Sequence, residues 1–473
     1  MTPTPPATVT QQLVQFALAL TIDDVPPAIR HKLKLHLIDA IGCGWAARQS
    51  AAAELARQAA GLLGGAGRCR VLGSDSGYAA PAAAFANAMI INGLDHDDGV
   101  EIDGKGLGHP GATLVAAAMA GLDQSPHPVP GSRLLVALAA GFEINNRLIH
   151  ALQPSAERFE QVYGIAQHQA IGAAVVYGLI HEFDEPTLHH AIGLAATLAN
   201  VPSLHKYNWR SRPLVTLKDG VASAAQAGVQ AACLARAGFV GSRDVLDGPD
   251  GYWRMAGSDR FAPDRLTHAL GNDWYVRYGS IKRYPACRWL ACALECAEVI
   301  VTETGWQADE IARIDVQTFS RLVDDLMDQA PGNPNDAQFS LPFTLAAVVS
   351  RIPLGPRWYA AETMRDPGMQ ALIGKIRASV DPVIDQRMRG PDRQPGARVI
   401  VRHRDGRSAT QERQMPLGSA ARPMSETDII EKARRNIAGE APATNAWLDA
   451  ILGHDRWDAA WSDSTWILPA QSN

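Results

Sequence analysis

The sequence predicts a mainly α protein, with a large helical region followed by a smaller α+β region. Three observations carry this. Apolar residues recur at helical spacing, as at Leu33, Leu37, Ile41 and Trp45. Up to about residue 270 the chain is rich in Ala and Gly, and such small side chains let helix axes approach closely. After about residue 272, alternating apolar and polar runs enter, as half-buried strands require.

Residues 8–270 read as successive helices, with the four apolar residues above forming one face of an amphipathic helix. Further helices are expected over Ala112–Leu122, Leu134–Ile149, Gly172–Ile180, Leu188–Leu198 and Gly220–Gly238. Turns are expected at Pro126–Gly131 and Gly248–Gly251. In the second region Ile311–Phe319 reads as a strand. Ala397–Met415 reads as two strands around an Asp405–Gly406 turn. Helices are expected at Trp289–Thr304, Phe339–Ser350 and Met369–Ile373. Helical sequence returns at Ser425–Ile437, with Ser425 as N-cap. The boundaries that follow are 1–272 for the helical domain and 273–420 for the α+β domain, with 421–473 packing back onto the first.

A chain of 473 residues exceeds what one ordinary core organises, so two domains are expected. Hydrophobic content of 47% and charged content of 20% are those of a globular protein. A net charge of −5 argues against a nucleic-acid binder. No apolar run is long enough for a membrane span, and the Pro/Thr-rich start has no signal-peptide pattern. The six cysteines form no CxxC pair, which fits a cytoplasmic protein. No GxGxxG follows a strand, and GxxxxGK[ST], HExxH and GxSxG do not occur.

The chemistry concentrates between Leu94 and Gly111. Two His, one Lys and five carboxylates (Asp95, Asp97, Asp98, Glu101, Asp103) lie there between two apolar flanks. Asp and His together exchange protons near neutral pH when burial moves their pKa values toward 7. His109 precedes Pro110, which holds it out of helical geometry. The stretch is not a calcium loop: a third carboxylate at the required spacing and the closing bidentate Glu are missing, and no metal is expected. His168 stands at a helix entrance, which favours a neutral imidazole or a bound anion. Lys218 opens a helix of small residues and is a candidate carboxylate binder or base. Lys282, Arg283 and Arg288 bracket a Tyr-Pro turn at the domain junction, where clustered cations suit a polycarboxylate. Cys287 is expected to be structural.

In combination these segments resemble the MmgE/PrpD family. The resemblance rests on Leu37-Ile-Asp-Ala-Ile-Gly, Asn92-Gly-Leu-Asp-His-Asp-Asp with His109-Pro-Gly, and Lys218 before a helix ending Ala237-Gly-Phe-Val-Gly. It rests also on Lys282-Arg-Tyr-Pro-Ala-Cys-Arg-Trp and Gln338-Phe-Ser-Leu-Pro-Phe. Asp247–Arg260 looks closest to the epimerase-like branch. The resemblance implies an all-helical domain with a smaller α+β lid domain, a homodimer, and a site between the domains that needs no metal or cofactor. It implies proton transfer next to a carboxylate of a small di- or tricarboxylate, by a lyase or isomerase. Asp95, His109, His168 and Lys218 match catalytic positions. Asp98, Lys282, Tyr284 and Arg288 are the expected substrate-binding residues.

Three departures bear on the reaction. Ala291 stands where relatives usually carry His, Gly99 where dehydratases and decarboxylases carry Thr, and His96 where they carry an aromatic residue. Removing a positioned acid or base typically costs about 10²–10⁴-fold in rate. The expected activity is therefore epimerase-like or diverged. A methylcitrate-type dehydratase or decarboxylase and a non-catalytic binding protein are the alternatives.

Overall fold

The computed structural model describes residues 7–464 apart from 104, 164–165, 202, 205–208, 392, 438–440, 454–456, 458 and 462. The longer helices of the first region are α1 (Val9–Ala19), α2 (Pro27–Ala47), α3 (Ala51–Gly64), α4 (Ala80–Ile91), α5 (Pro110–Gln124) and α6 (Gly131–Ala151). They continue with α7 (Gln169–Ile180), α8 (Glu185–Leu198) and α9 (Val221–Arg236). Close approach through small residues builds this bundle. At Gly228 an added Cβ would lie 2.3 Å from the Ala170 carbonyl oxygen, so α9 and α7 meet nearly backbone to backbone.

Helix starts follow local chemistry. Thr8 and Ser50 cap α1 and α3 through their hydroxyls, accepting from Gln11 N and Ala53 N at 3.1 Å each. Asp247 reaches back to α1, accepting from Val9 N at 2.6 Å and Thr10 Oγ1 at 2.6 Å. The Asp247–Arg260 stretch thus begins as a helix-capping element.

Two expectations need correction. The first region is not helical throughout: residues 239–262 run as turns, and Ala66–Arg70 pairs with Gly77–Tyr78 as short strands. Nor is α2 amphipathic. From Leu33 onward it is buried nearly all round, including Lys34, His36 and Asp39. Its second face is covered by α12 (Glu426–Ile437), which comes from the far end of the chain. Ser425 caps α12 as expected, accepting from Asp428 N at 3.1 Å while its own N–H donates to Asp428 at 3.0 Å. Helix α12 thus lies against α2; of the expected 421–473 segment, 438–440, 454–456, 458, 462 and 465–473 fall outside the described residues.

The loop between α4 and α5 folds as a hairpin. Strands β1 (Gly99–Ile102) and β2 (Lys105–Leu107) are antiparallel, and β3 (Gly279–Ser280) pairs with the other edge of β1 through Val100–Gly279. The hairpin therefore joins the two regions. In the second region β4 (Ile311–Thr318) lies between parallel β5 (Ile376–Val380) and antiparallel β6 (Ala397–His403), which pairs with β7 (Ser408–Arg413). The apolar face of this sheet packs on α10 (Ala291–Thr304). Helix α11 (Leu341–Val349) and the shorter helix Pro367–Ile373 are close to expectation. One contiguous apolar core, from Leu13 to Trp457, runs through both regions. No helix among the described residues is long and apolar enough to cross a membrane.

Candidate active site

Helix α4 ends at Ile91 and tightens into one 3₁₀ turn, Asn92–Leu94. Asp95 then turns the chain in the left-handed region, φ 51° and ψ 34°, held by its N–H donating to the Asn92 carbonyl at 2.9 Å. Asp219, at the entrance to α9, is left-handed too, with φ 59°, and is followed by left-handed Gly220. A non-glycine residue in this region costs roughly 1–3 kcal/mol and persists where the surroundings over-determine it. Here the surroundings are charges.

Asp95 Oδ1 lies 3.3 Å from Lys218 Nζ, 3.1 Å from Lys282 Nζ and 3.7 Å from His109 Nε2. His109 Nε2 is also 3.7 Å from Asp219 Oδ2, and its Nδ1 is 3.3 Å from Asp97 Oδ2. Asn92 Nδ2 donates to the other Asp97 oxygen at 3.0 Å. These are ion pairs, but Asp95 Oδ1, Asp97 Oδ2, His109 Nδ1, Lys218 Nζ and Asp219 Oδ2 are buried without a hydrogen bond among the described residues. So many buried polar atoms held by charge alone, without a hydrogen bond, mark a site prepared for a ligand.

His109 stands at the N-terminal boundary of α5, just before Pro110, with its side chain free of any capping bond. Its aim is set from two sides. Asp98 accepts from Gly111 N at 2.8 Å and pairs with His36 Nδ1 at 2.7 Å, both side chains fully buried. The Gln169 amide, oriented to satisfy both its atoms, accepts from His109 N at 3.2 Å and donates to His109 O at 3.3 Å.

Asp95, His109, Asp219 and Lys282 line an interdomain cavity of about 40 Å³, walled by Trp209, Trp289 and Phe339. That space is more than a single water needs. Lys218 Nζ sits 5.6 Å over the Phe339 ring. A larger groove of about 700 Å³ lies beyond the Gly93–Leu94 turn, but no carboxylate or imidazole lines it. The ionisable cluster lines the smaller cavity.

Burial disfavours a charged Asp95, yet Lys218, Lys282 and His109 outweigh it and hold the carboxyl well below its usual range. Burial likewise opposes charge on His109, but Asp97 and then Asp219 raise it above its ordinary value. Asp219 is raised by burial, partly opposed by His109 and reinforced by Asp95. The cluster therefore holds a firmly ionised carboxylate, a readily protonated imidazole and a carboxylate of increased basicity. Burial pushes the Cys287 thiol up to about 12, which keeps it protonated and unreactive.

Asp95, Asp97 and His109 place ligand atoms within 4.8 Å of one another, the geometry of a cation site. The two ammoniums on Asp95 already neutralise that oxygen and would repel a metal bound through it.

Of the expected site residues, the fold brings together Asp95, His109, Lys218, Lys282 and Arg288. It places three elsewhere. Asp98 is enclosed by His36 and the start of α5 and does not reach the cavity. Tyr284 donates to Glu298 at 2.5 Å, a carboxylate also held by Arg283 at 2.7 Å. Both side chains, expected to bind substrate, are engaged here with protein groups away from the cavity lining. His168 is buried edge-on to Tyr252, and burial pushes it down to about 3, so it stays neutral. Its chain neighbour Gln169 is the group that touches His109. The residue passed over is Asp219. Its signal was the Lys218-Asp-Gly sequence, since Asp before Gly tolerates a left-handed turn.

Comparison with known proteins agrees with this architecture. Residues 11–263 match the model of the MmgE/PrpD N-terminal domain and residues 284–453 that of the MmgE/PrpD C-terminal domain. Cis-aconitate decarboxylase of Aspergillus terreus is 23% identical over 95% of this chain and 93% of its own length. Cis-aconitate decarboxylase-like protein oryM of Aspergillus oryzae is 24% identical over 91% of each chain. Human cis-aconitate decarboxylase is 23% identical over 91% of this chain and 88% of its own.

Proposed function

Because the chain belongs to the MmgE/PrpD family, we propose that it is a lyase that moves a proton at the carbon next to a carboxylate of a small di- or tricarboxylate. The single observation that carries this reading is one cavity lined by Asp95, Lys282, His109 and Asp219, with Lys218 on the Asp95 carboxylate behind it. Lys218 and Lys282 release part of their hold on Asp95 to bind a substrate carboxylate. They then stabilise the negative charge that gathers on it as the enolate forms. Asp219, the more basic and more accessible carboxylate, takes the proton. Protonated His109 supplies one.

The electron pair left at carbon either expels a neighbouring group as water or takes a proton back. In a decarboxylation the order reverses: CO₂ leaves, its electron pair stays on the substrate as the enolate, and His109 protonates the carbon. Loss of water or CO₂ is favoured by the decarboxylase relatives. Reprotonation, an epimerase outcome, is the second reading. It is favoured by Ala291, which opens α10 with no group able to assist a leaving group. Asp247–Arg260 lends that reading no support from the site, because Asp247 caps α1 instead. The reading includes a homodimer in a reducing cytoplasm, which the six free cysteines suit.

The test is incubation of a panel of di- and tricarboxylates with the protein in D₂O, followed by NMR for deuterium at the α-carbon and for released products. Exchange or product formation that disappears in His109→Asn is the expected result. No exchange and no product across the panel would show that the protein only binds or lacks this activity.

A further inference from the structure

Arg288 enters the cavity wall from the second region, in the 3₁₀ turn Arg288–Leu290. Its Nη1 donates to Glu101 Oε1 at 2.7 Å, and Glu101 Oε2 accepts from Ala420 N at 2.8 Å. Its Nη2 is buried and has no hydrogen-bond partner among the described residues. The side chain reaches this position by crossing the β1–β2 hairpin over two glycines. A Cβ on Gly99 would lie 2.3 Å from Nη2 and 3.1 Å from Cζ. A Cβ on Gly106 would lie 2.9 Å from Cδ. Neither glycine has a positive φ, so backbone conformation does not require them. Their lack of a side chain makes room for the guanidinium.

We propose that Gly99 and Gly106 are specificity-determining residues that seat the Arg288 guanidinium in the cavity wall, where it selects substrates bearing a second carboxylate. This rests on the reading of a carboxylate substrate given above. Lys218 and Lys282 share Asp95, and Lys282 and Arg288 both line the cavity. Arg288 is tied to Glu101 through one nitrogen only, and its orphaned Nη2 is the donor left for a further anionic oxygen. A side chain at 99 displaces the guanidinium and removes that donor. Nη2 is the far end of a flexible side chain and can move aside, while the Gly108 carbonyl oxygen, 3.1 Å from the same Cβ, has to give by only a few tenths of an ångström.

The probes are succinate and propionate, which differ by one carboxylate. Their binding is measured by calorimetry on the full chain and on Gly99→Ala, Gly106→Ala, Arg288→Gln and the Gly99→Ala/Arg288→Gln double variant. Arg288→Gln is expected to weaken succinate about 10- to 100-fold while leaving propionate unchanged, the range of a lost charge-assisted hydrogen bond. Gly99→Ala and Gly106→Ala are expected to lower the same preference, and the double variant to lose no more than Arg288→Gln. Full additivity, or an unchanged preference in Gly99→Ala while Arg288→Gln loses it, overturns the glycine seat. An unchanged preference in Arg288→Gln overturns the clamp. Wild-type protein that binds neither probe and exchanges no carboxylate in D₂O overturns the functional reading, and this inference with it.

Discussion

Lys282 Nζ, from the segment that opens the second region, lies 3.1 Å from Asp95 Oδ1, at the end of a turn in the first. Both side chains are at least 95% buried, and Lys218 meets the same oxygen. One carboxylate thus holds two ammoniums that would otherwise repel each other across the cavity.

Asp95→Asn is therefore expected to do more than slow the reaction. It leaves two buried cations uncompensated, a change that costs about 3–5 kcal/mol. Urea denaturation should show that loss beside a fall in exchange rate of at least about 10²-fold. An Asn variant as stable as wild type would mean that the two lysines are not held by this charge.

The charge on His109 has a pH signature. Its folded pKa lies above its ordinary 6.5, because Asp97 and Asp219 overcome burial. Stabilisation from the charged ring is then fully present below pH 6.5 and lost as pH rises through the raised value. The stability gap between wild type and His109→Asn should be widest at low pH and close toward alkaline pH. A gap that widens with pH would reverse the assignment.

Lys432 on α12 pairs with Asp39 of α2 at 2.5 Å and donates to the His96 carbonyl at 2.6 Å, one residue from Asp95. Lys432→Met leaves Asp39 buried and unpaired and should cost about 3–5 kcal/mol. Replacing both, with Asp39→Leu, should recover most of the stability but not the exchange rate, since the His96 carbonyl stays unsupported. Equal recovery of rate would show that this contact does not position the turn.

At Gly111 an added Cβ would lie 2.7–2.8 Å from the Asp98 carboxylate, which cannot retreat because His36 holds it. Gly111→Ala should cost about 1–3 kcal/mol and lower kcat as His109 shifts. Thermal unfolding and exchange rates measure the two effects separately.

Tyr284→Phe removes only the hydroxyl on Glu298. About 1 kcal/mol of stability should go, with KM unchanged within about twofold. A large rise in KM would return Tyr284 to the substrate.

The helices of the first region were legible because small and apolar residues recur at a period set by the helix itself. The strand Ile311–Thr318 and the hairpin at 397–413 were legible for the same local reason. The β1–β2 hairpin was not: its strands are short and interrupted by glycines, and it is held by β3, about 180 residues away. Parallel β5 was missed as well. Its residues Ile376–Val380 have one buried member, and its partner β4 lies a whole crossover earlier. Nothing near His36 in the chain announces its partner Asp98.

By itself the sequence determined the helix-rich class, the crowding of ionisable residues between Leu94 and Gly111, and the basic segments at Lys218 and Lys282. These depend on local period and composition. Tertiary structure decided which of those charges meet. It brought Asp219 to His109, moved Tyr284 onto Glu298, enclosed Asp98 with His36, and laid Arg288 across Gly99. The physical reason is range. Propensity and patterning act over a few residues, whereas ion pairing, desolvation and steric room act between atoms a few ångströms apart, whatever their separation along the chain.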